Sequence, residues 1–184
     1  MELPNLSPRA AHLAGLSHIP EDREKHGLVS SYSIADNLIL NVFDQPPFAN
    51  GWIRNHSAII KNGEALIKEF DVRTPSYALP ASSLSGGNKQ KVVVARELSQ
   101  KQKIVVAAQP TRGIDVGSIE FIHNQLIAAR DKGAAVLLVS AELDEILSLS
   151  DRIAVIYGGK IVETIDAAHA DRTRIGRLMA GSKA

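Results

Sequence analysis

Hydrophobic and polar positions divide the chain into two regimes. In the first part the apolar residues recur at helical spacing between polar stretches. Ser33 and Asp36 open the run Ile34, Leu38, Ile39, a pattern that predicts a capped helix. A loop rich in Pro and Asn, around Gln45 to Gly51, ends it. A second helix is predicted from Ala58 to Phe70, with Ile59, Ile60, Leu66, Ile67 and Phe70 at mostly helical spacing, and Thr74 to Ser83, with two prolines, reads as a connector. In the second part Ile104–Ala108 and Ala134–Ser140 are short unbroken apolar runs, the pattern of buried parallel strands. Between them Gly117–Lys132 places Ile119, Ile122, Leu126 and Ala129 on one helical face and stops at Gly133. A short helix from Glu142 to Leu149 follows. Arg152–Tyr157, Gly158-Gly159 and Lys160–Ile165 then read as a β-hairpin. No internal repeat or low-complexity tract interrupts this order.

Composition narrows the function classes. At 184 residues with 45% hydrophobic content the chain can bury one ordinary core. Lys plus Arg number 21 against 20 for Asp plus Glu, so a net charge of +1 gives no broad footprint for nucleic acid or an anionic membrane. The absence of cysteine removes disulfides, thiolate metal sites and cysteine nucleophiles, and agrees with a reducing compartment. His12, His18, His26, His56, His123 and His169 lack zinc-type spacing, so no metal site is expected. No apolar run is long enough to span a bilayer and the start MELPNLSPRA lacks the form of a secretory signal, so the expectation is a cytoplasmic, soluble chain.

The segment richest in chemistry is Leu84-Ser85-Gly86-Gly87-Asn88-Lys89-Gln90-Lys91. Ser85 is a good N-cap, and two glycines let backbone amides approach an anion at the positive end of a helix dipole. Taken alone, Ser-Gly-Gly more often marks a merely capped helix. The context changes that: LSGGNKQK is followed within one helix by the strand IVVAA, then by Gln109-Pro110-Thr111-Arg112-Gly113-Ile114-Asp115, then by the strand VLLVS. In order and spacing this resembles the ABC ATPases, from His18 to about Ile165. The segment Ile19-Pro20-Glu21-Asp22-Arg23-Glu24-Lys25-His26-Gly27-Leu28 and the run Thr111-Arg112-Gly113-Ile114-Asp115-Val116-Gly117 look like the second ATPase half of tandem importer subunits for simple sugars and nucleosides.

The resemblance implies an α/β fold: part of the ABC-type P-loop NTPase architecture, with a mainly parallel sheet and a helical signature subdomain. The implied division is 1–31 with a Q-loop-like region, 32–99 as helical subdomain and signature, and 100–184 as α/β core. It makes Ser85, Gly86, Gly87, Asn88 and Gln90 the signature residues, Asp115 the D-loop residue and Glu21 the occupant of the Q-loop position. By composition alone the charged run Glu21 to Lys25 would be a solvated loop.

Three positions depart from the family pattern. Ala108 stands where an Asp helps to hold magnesium, and a methyl cannot ligate a hard cation. Gln109 stands where a Glu deprotonates water; an amide cannot accept that proton, and a general base is worth roughly 10²–10⁴ in rate. Ala141 replaces the switch His. No phosphate-binding loop of the required form occurs: Gly159-Lys160 is followed by Ile161 and falls in the hairpin. The family places that loop upstream, so the sequence is expected to begin partway through its domain, leaving an exposed sheet edge and a tendency to self-associate. The implied function is a half-site. The chain would lend its LSGG to Mg-ATP held by a partner nucleotide-binding domain with intact Walker motifs, beneath integral-membrane permease subunits. It would not hydrolyse ATP alone, and it looks more like the nucleoside than the ribose branch. The alternatives are an ATP-independent scaffold that keeps the fold and a soluble DNA-repair relative; no heptad array or basic bias supports the latter.

Overall fold

The computed structural model describes residues 7–181, in two compact units, one up to Leu137 and one from Leu138. In chain order the first contains α1 (Pro8–Leu13), β1 (Leu16–Ile19), a π-helical turn (Arg23–Gly27), α2 (Ile34–Leu38), the short strands β2 (Ala49–Asn50) and β3 (Ile53–Arg54), α3 (His56–Glu69), α4 (Gly86–Leu98), β4 (Ile104–Ala108) and α5 (Val116–Asp131). The strand β5 (Ala135–Val139) spans the boundary. β1 runs parallel to β4, Leu16 opposite Ile104 and Ile19 opposite Ala107, and the sheet order is β1-β4-β5.

The first unit is organised around α4. Every residue from Gln90 to Glu97 is buried, and Val92, Val93, Val94 and Ala95 are fully so. Three successive β-branched residues have modest helix propensity, so packing on all sides holds this helix. At its C-terminal end lies a buried ion pair, Arg96 Nε to Glu97 Oε1 at 2.9 Å, with side chains only 6% and 5% exposed. Both partners make further bonds. Arg96 Nη1 donates to Gly27 O at 2.7 Å, and Glu97 accepts from Asn41 Nδ2 at 2.8 Å and from the His18 N–H at 3.3 Å. One pair thus fastens β1, the π-helical turn and the region after α2 to α4.

The second unit comprises α6 (Leu143–Leu149), β6 (Arg152–Tyr157), β7 (Lys160–Asp166) and α7 (Arg172–Met179). β6 and β7 form an antiparallel hairpin whose turn residues, Gly158 and Gly159, both take positive φ, which glycine adopts without steric cost. Ile153, Val155, Ile165, Ile175 and Leu178 form its core.

The predicted helices and strands recur within a few residues, and Ser33 caps α2 as the sequence pattern requires. The first part of the chain is not purely helical, however. β1 belongs to the sheet; four residues of Leu-Ser-His-Ile carry too little alternation to signal a strand. β5 also differs from the fully buried strand its apolar run predicts, for Leu137 is 58% and Val139 47% exposed.

Replacing Glu97 with Ala leaves the Arg96 guanidinium buried without its carboxylate. The loss in urea unfolding should be about 3–5 kcal/mol, as for other broken buried pairs. A change within about 0.5 kcal/mol, the range of ordinary surface substitutions, would contradict this role.

Candidate functional site at the start of helix α4

Ser85 caps α4. Its Oγ accepts from the Asn88 amide N–H at 3.5 Å and from Asn88 Nδ2 at 2.9 Å, while Asn88 Oδ1 accepts from the Arg73 N–H at 2.8 Å. The cap therefore fixes the first turn of α4 and ties it to the connector after α3. Asp115 does the same for α5: its Oδ1 accepts from the Ser118 N–H at 2.9 Å and its Oδ2 from Ser118 Oγ at 2.8 Å. The Ser118 hydroxyl bond, then the Ser118 N–H, holds the Asp115 carboxyl below the ordinary carboxylate range.

The two caps face each other across Gly87. A Cβ on Gly87 would collide with Ser118 Oγ and with Asp115 Oδ2, so the glycine is needed for α4 and α5 to approach. A Cβ on Gly86 would lie 3.0 Å from Arg23 Nη2 and 3.6 Å from Gly113 O. The sequence suggests that these glycines clear space for a ligand; the space their side chains would take is instead filled by this chain's own atoms. With the Asn88 N–H taken by the Ser85 cap, the Gly86 and Gly87 N–H groups are the anion-directed ones of the first turn.

Ser85, Asn88 and Asp115 line one polar cavity of about 420 Å³, with Arg73, Lys91 and Ser118 among its other walls. The Lys91 side chain is buried to 6% exposure. Its ammonium donates to Asp71 Oδ2 at 2.6 Å and Asp71 O at 2.9 Å and lies 4.7 Å from the Phe121 ring centroid. That hydrogen bond, with the lysine charge, keeps the Asp71 carboxyl below its ordinary range. Gln90 is not at the cavity; it is 2% exposed, inside the packing of α4.

Glu21 also lies away from the cavity wall and is exposed, as the charged run predicts, yet it is tethered. It pairs with Arg112, while Arg23 Nη1 donates to Arg112 O at 2.8 Å and Glu24 pairs with Lys89 at 2.8 Å. The charged run is largely exposed, as composition predicts, and it is also pinned to the turn after β4 and to α4. Ala108 ends β4 and Gln109 follows with φ of 48°, a left-handed conformation that costs a non-glycine residue about 1–2 kcal/mol. Ala141 is exposed in the second unit, between β5 and α6. Sequence reasoning missed Ser118 and Arg23. Ser118 is three residues after Asp115, a capping spacing that could have signalled it; Arg23 carried no such signal.

No protein-family model matches the chain. It is 45% identical over 181 residues to the guanosine import ATP-binding protein NupO of Bacillus subtilis, and 43% identical over 180 residues to the nucleoside import ATP-binding protein NupA of Lactococcus lactis. Each alignment covers 98% of this chain and 36% of the relative. The xylose import ATP-binding protein XylG of Thermoanaerobacter pseudethanolicus is 38% identical over 177 residues, 96% of this chain and 35% of that protein. The chain belongs to the ABC-type ATP-binding cassettes. It spans about a third of the length of these curated relatives. Among solved structures, a dimeric ATP-binding cassette in a post-hydrolysis state with ADP and phosphate has the same fold, with a TM-score of 0.71 and 18% identity over 89% of this chain and 68% of that one. A nucleotide-free cassette from an ABC transporter gives 0.71 and 20% over 96% and 69%.

This places the observed elements within the P-loop NTPase fold, as the motif order predicts. The residues at the start of α4 suit a phosphate group: a capped N-terminus, a hydroxyl and nearby cations. The end of β4 does not suit magnesium, for Ala108 brings no oxygen ligand on its side chain.

Two substitutions test the opposed caps. Gly87→Ala should destabilise the chain by about 1–3 kcal/mol, the usual range for overpacking, and a neutral result in thermal unfolding would mean that α4 and α5 are further apart. Ser118→Ala should raise the Asp115 pKa toward the ordinary carboxylate value, read by carbon NMR titration. Because the folded pKa is depressed, the associated stability is present above that ordinary value and is lost as pH falls through the folded one. An unchanged titration would contradict the assigned cause.

Proposed function

We propose that this chain is a nucleotide-binding-domain component of an ABC importer for nucleosides or simple sugars that lends its signature motif to ATP held by a partner domain. The observation that carries this reading is the juxtaposition at one cavity of the Ser85 cap, the Asn88 amide and Asp115, in a chain whose β4 ends at Ala108 with Gln109 following. The guanosine, nucleoside and xylose import relatives support the transport class.

In this reading the first-turn amides of α4, at Gly86 and Gly87, face the γ-phosphate of Mg-ATP on the partner, and the Ser85 hydroxyl donates to it. Preorganised donors aimed at developing charge are the largest single contribution in many enzymes. Asp115, held ionised and oriented by Ser118, couples the two sides of the interface. Asn88 holds the cap against Arg73, and the buried Gln90 keeps α4 seated. Gln109 can orient a water but not deprotonate it, and Ala108 leaves magnesium without its carboxylate, so hydrolysis belongs to a site whose Walker motifs the partner supplies. Glu21, at the Q-loop position, faces the permease-coupling side of the assembly. The segments 1–31, 32–99 and 100–184 then serve as coupling region, signature subdomain and α/β core. The assembled protein sits on the cytoplasmic face of the membrane; among the described residues no helix is long and apolar enough to cross it. Exposed Leu137 and Val139 favour self-association of the isolated chain.

The test is the ATPase rate of a partner cassette with an intact P-loop and Walker B Glu, measured with and without this chain. The chain should raise that rate, and Ser85→Arg, which places a bulky cation at the cap, should abolish the effect. Equal stimulation by both proteins overturns the half-site reading and favours an ATP-independent scaffold.

A further inference from the structure

We infer that Arg23 is a positioning residue for the candidate site, a guanidinium strut that fixes the turn Arg112–Gly113 against the start of α4. Its base is rigid. Asp22 caps the π-helical turn by accepting from the Glu24 and Lys25 amides, both at 3.0 Å, so the Arg23 side chain leaves the backbone from a fixed point. The far end of that turn is sealed on α4. Gly27 O accepts from Arg96 Nη1 at 2.7 Å, and a Cβ on Gly27 would lie 3.0 Å from Val93 Cγ2.

From this base the planar fork reaches two successive carbonyls, Arg112 O at 2.8 Å through Nη1 and Gly113 O at 3.4 Å through Nη2. Those carbonyls belong to the short turn that leaves β4 at Gln109 and ends at the Asp115 cap. The turn is otherwise closed by the Arg112 N–H bonding Gln109 O at 3.1 Å. The same Nη2 packs on Gly86, close enough that a methyl group there would crowd it. One side chain therefore touches both halves of the site, yet it does not line the cavity.

Two features argue against mere convenience. A cation beside the N-terminus of α4 is disfavoured by the helix dipole. The Arg23 Nε is buried with no hydrogen-bond partner, and such groups are rare in native structures. The guanidinium stays there because its fork spans two carbonyls at a fixed separation. Lysine, a point charge on a flexible stem, has the donors but not the planar fork that holds both carbonyls at a fixed separation.

The geometry stands by itself; only its effect on a partner's ATPase rests on the half-site reading. Amide hydrogen exchange by NMR on the full 184-residue chain tests the strut. Arg23→Gln should speed exchange of the Arg112 and Ser118 amides at least about tenfold while the Val94 to Ser99 amides keep their protection, since opening of this turn is local. Arg23→Lys should give a smaller acceleration at the same two sites. Unchanged rates, or a uniform increase that includes α4, overturn the inference; if the Gln variant does not fold, the Lys variant decides on the same criterion. In the partner assay Arg23→Gln should lower stimulated turnover about tenfold at saturating ATP and leave half-saturation unmoved, with Lys restoring part of it. If Ser85→Arg abolishes stimulation and Arg23→Gln does not alter it, the positioning role is wrong. If neither variant alters the partner, the half-site reading fails, and selective exchange still upholds the strut.

Discussion

The buried pair of Arg96 and Glu97 is the constraint on which the first unit depends. Neighbours in sequence on the last turn of α4, they cannot leave the interior without exposing Val92 to Ala95, and neither can stay there alone. Each therefore recruits backbone: Arg96 takes Gly27 O, and Glu97 takes the His18 N–H. Through these bonds the C-terminal end of α4 holds β1 and the far end of the charged turn in place. The N-terminal end of the same helix carries Ser85 and Gly87. A single rigid element thus sets the candidate site at one end from a dry electrostatic anchor at the other.

The site is a meeting of two capped helix starts. Ser85 opens α4 and Asp115 opens α5, and the absence of a side chain at Gly87 lets one cap lie on the other. This arrangement assigns the glycines a different task from the one their sequence suggests. They bring the chain's own elements together, and the amides left over at the helix start are what an anion would meet. A site of this kind offers donors and orientation, and its Asp115 carboxylate is already engaged by Ser118. In the proposed half-site, where β4 ends at Ala108 and Gln109 follows, a partner's carboxylate and phosphate loop would be the complement.

Much of this was legible in the residues. The LSGG segment, the strand after it and the turn to Asp115 follow one another in an order that identifies the fold, because each motif is short-range and carries its own turn or cap chemistry. The hairpin of β6 and β7 was equally plain from its paired glycines. What failed to show was long-range or solvent-dependent. Leu16–Ile19 becomes a strand only because β4 lies beside it, and β5 reads as buried although Leu137 and Val139 are exposed. The run from Glu21 to Lys25 is as exposed as it looks, but its ion-pair partners, Arg112 and Lys89, are far away in sequence and gave no sign. Gln90 reads as part of a binding motif, yet the packing of α4 turns it inward. Periodicity reports a residue's own element and says nothing of which other element meets it.

The central claim is that this chain supplies donors to a nucleotide that it does not hold by itself. Calorimetric titration of the isolated chain with magnesium ATP tests it most directly. The account predicts no measurable heat, or binding no tighter than about millimolar, roughly −4 kcal/mol. Micromolar binding would mean that the chain builds a complete phosphate site of its own, and the half-site account would have to be given up.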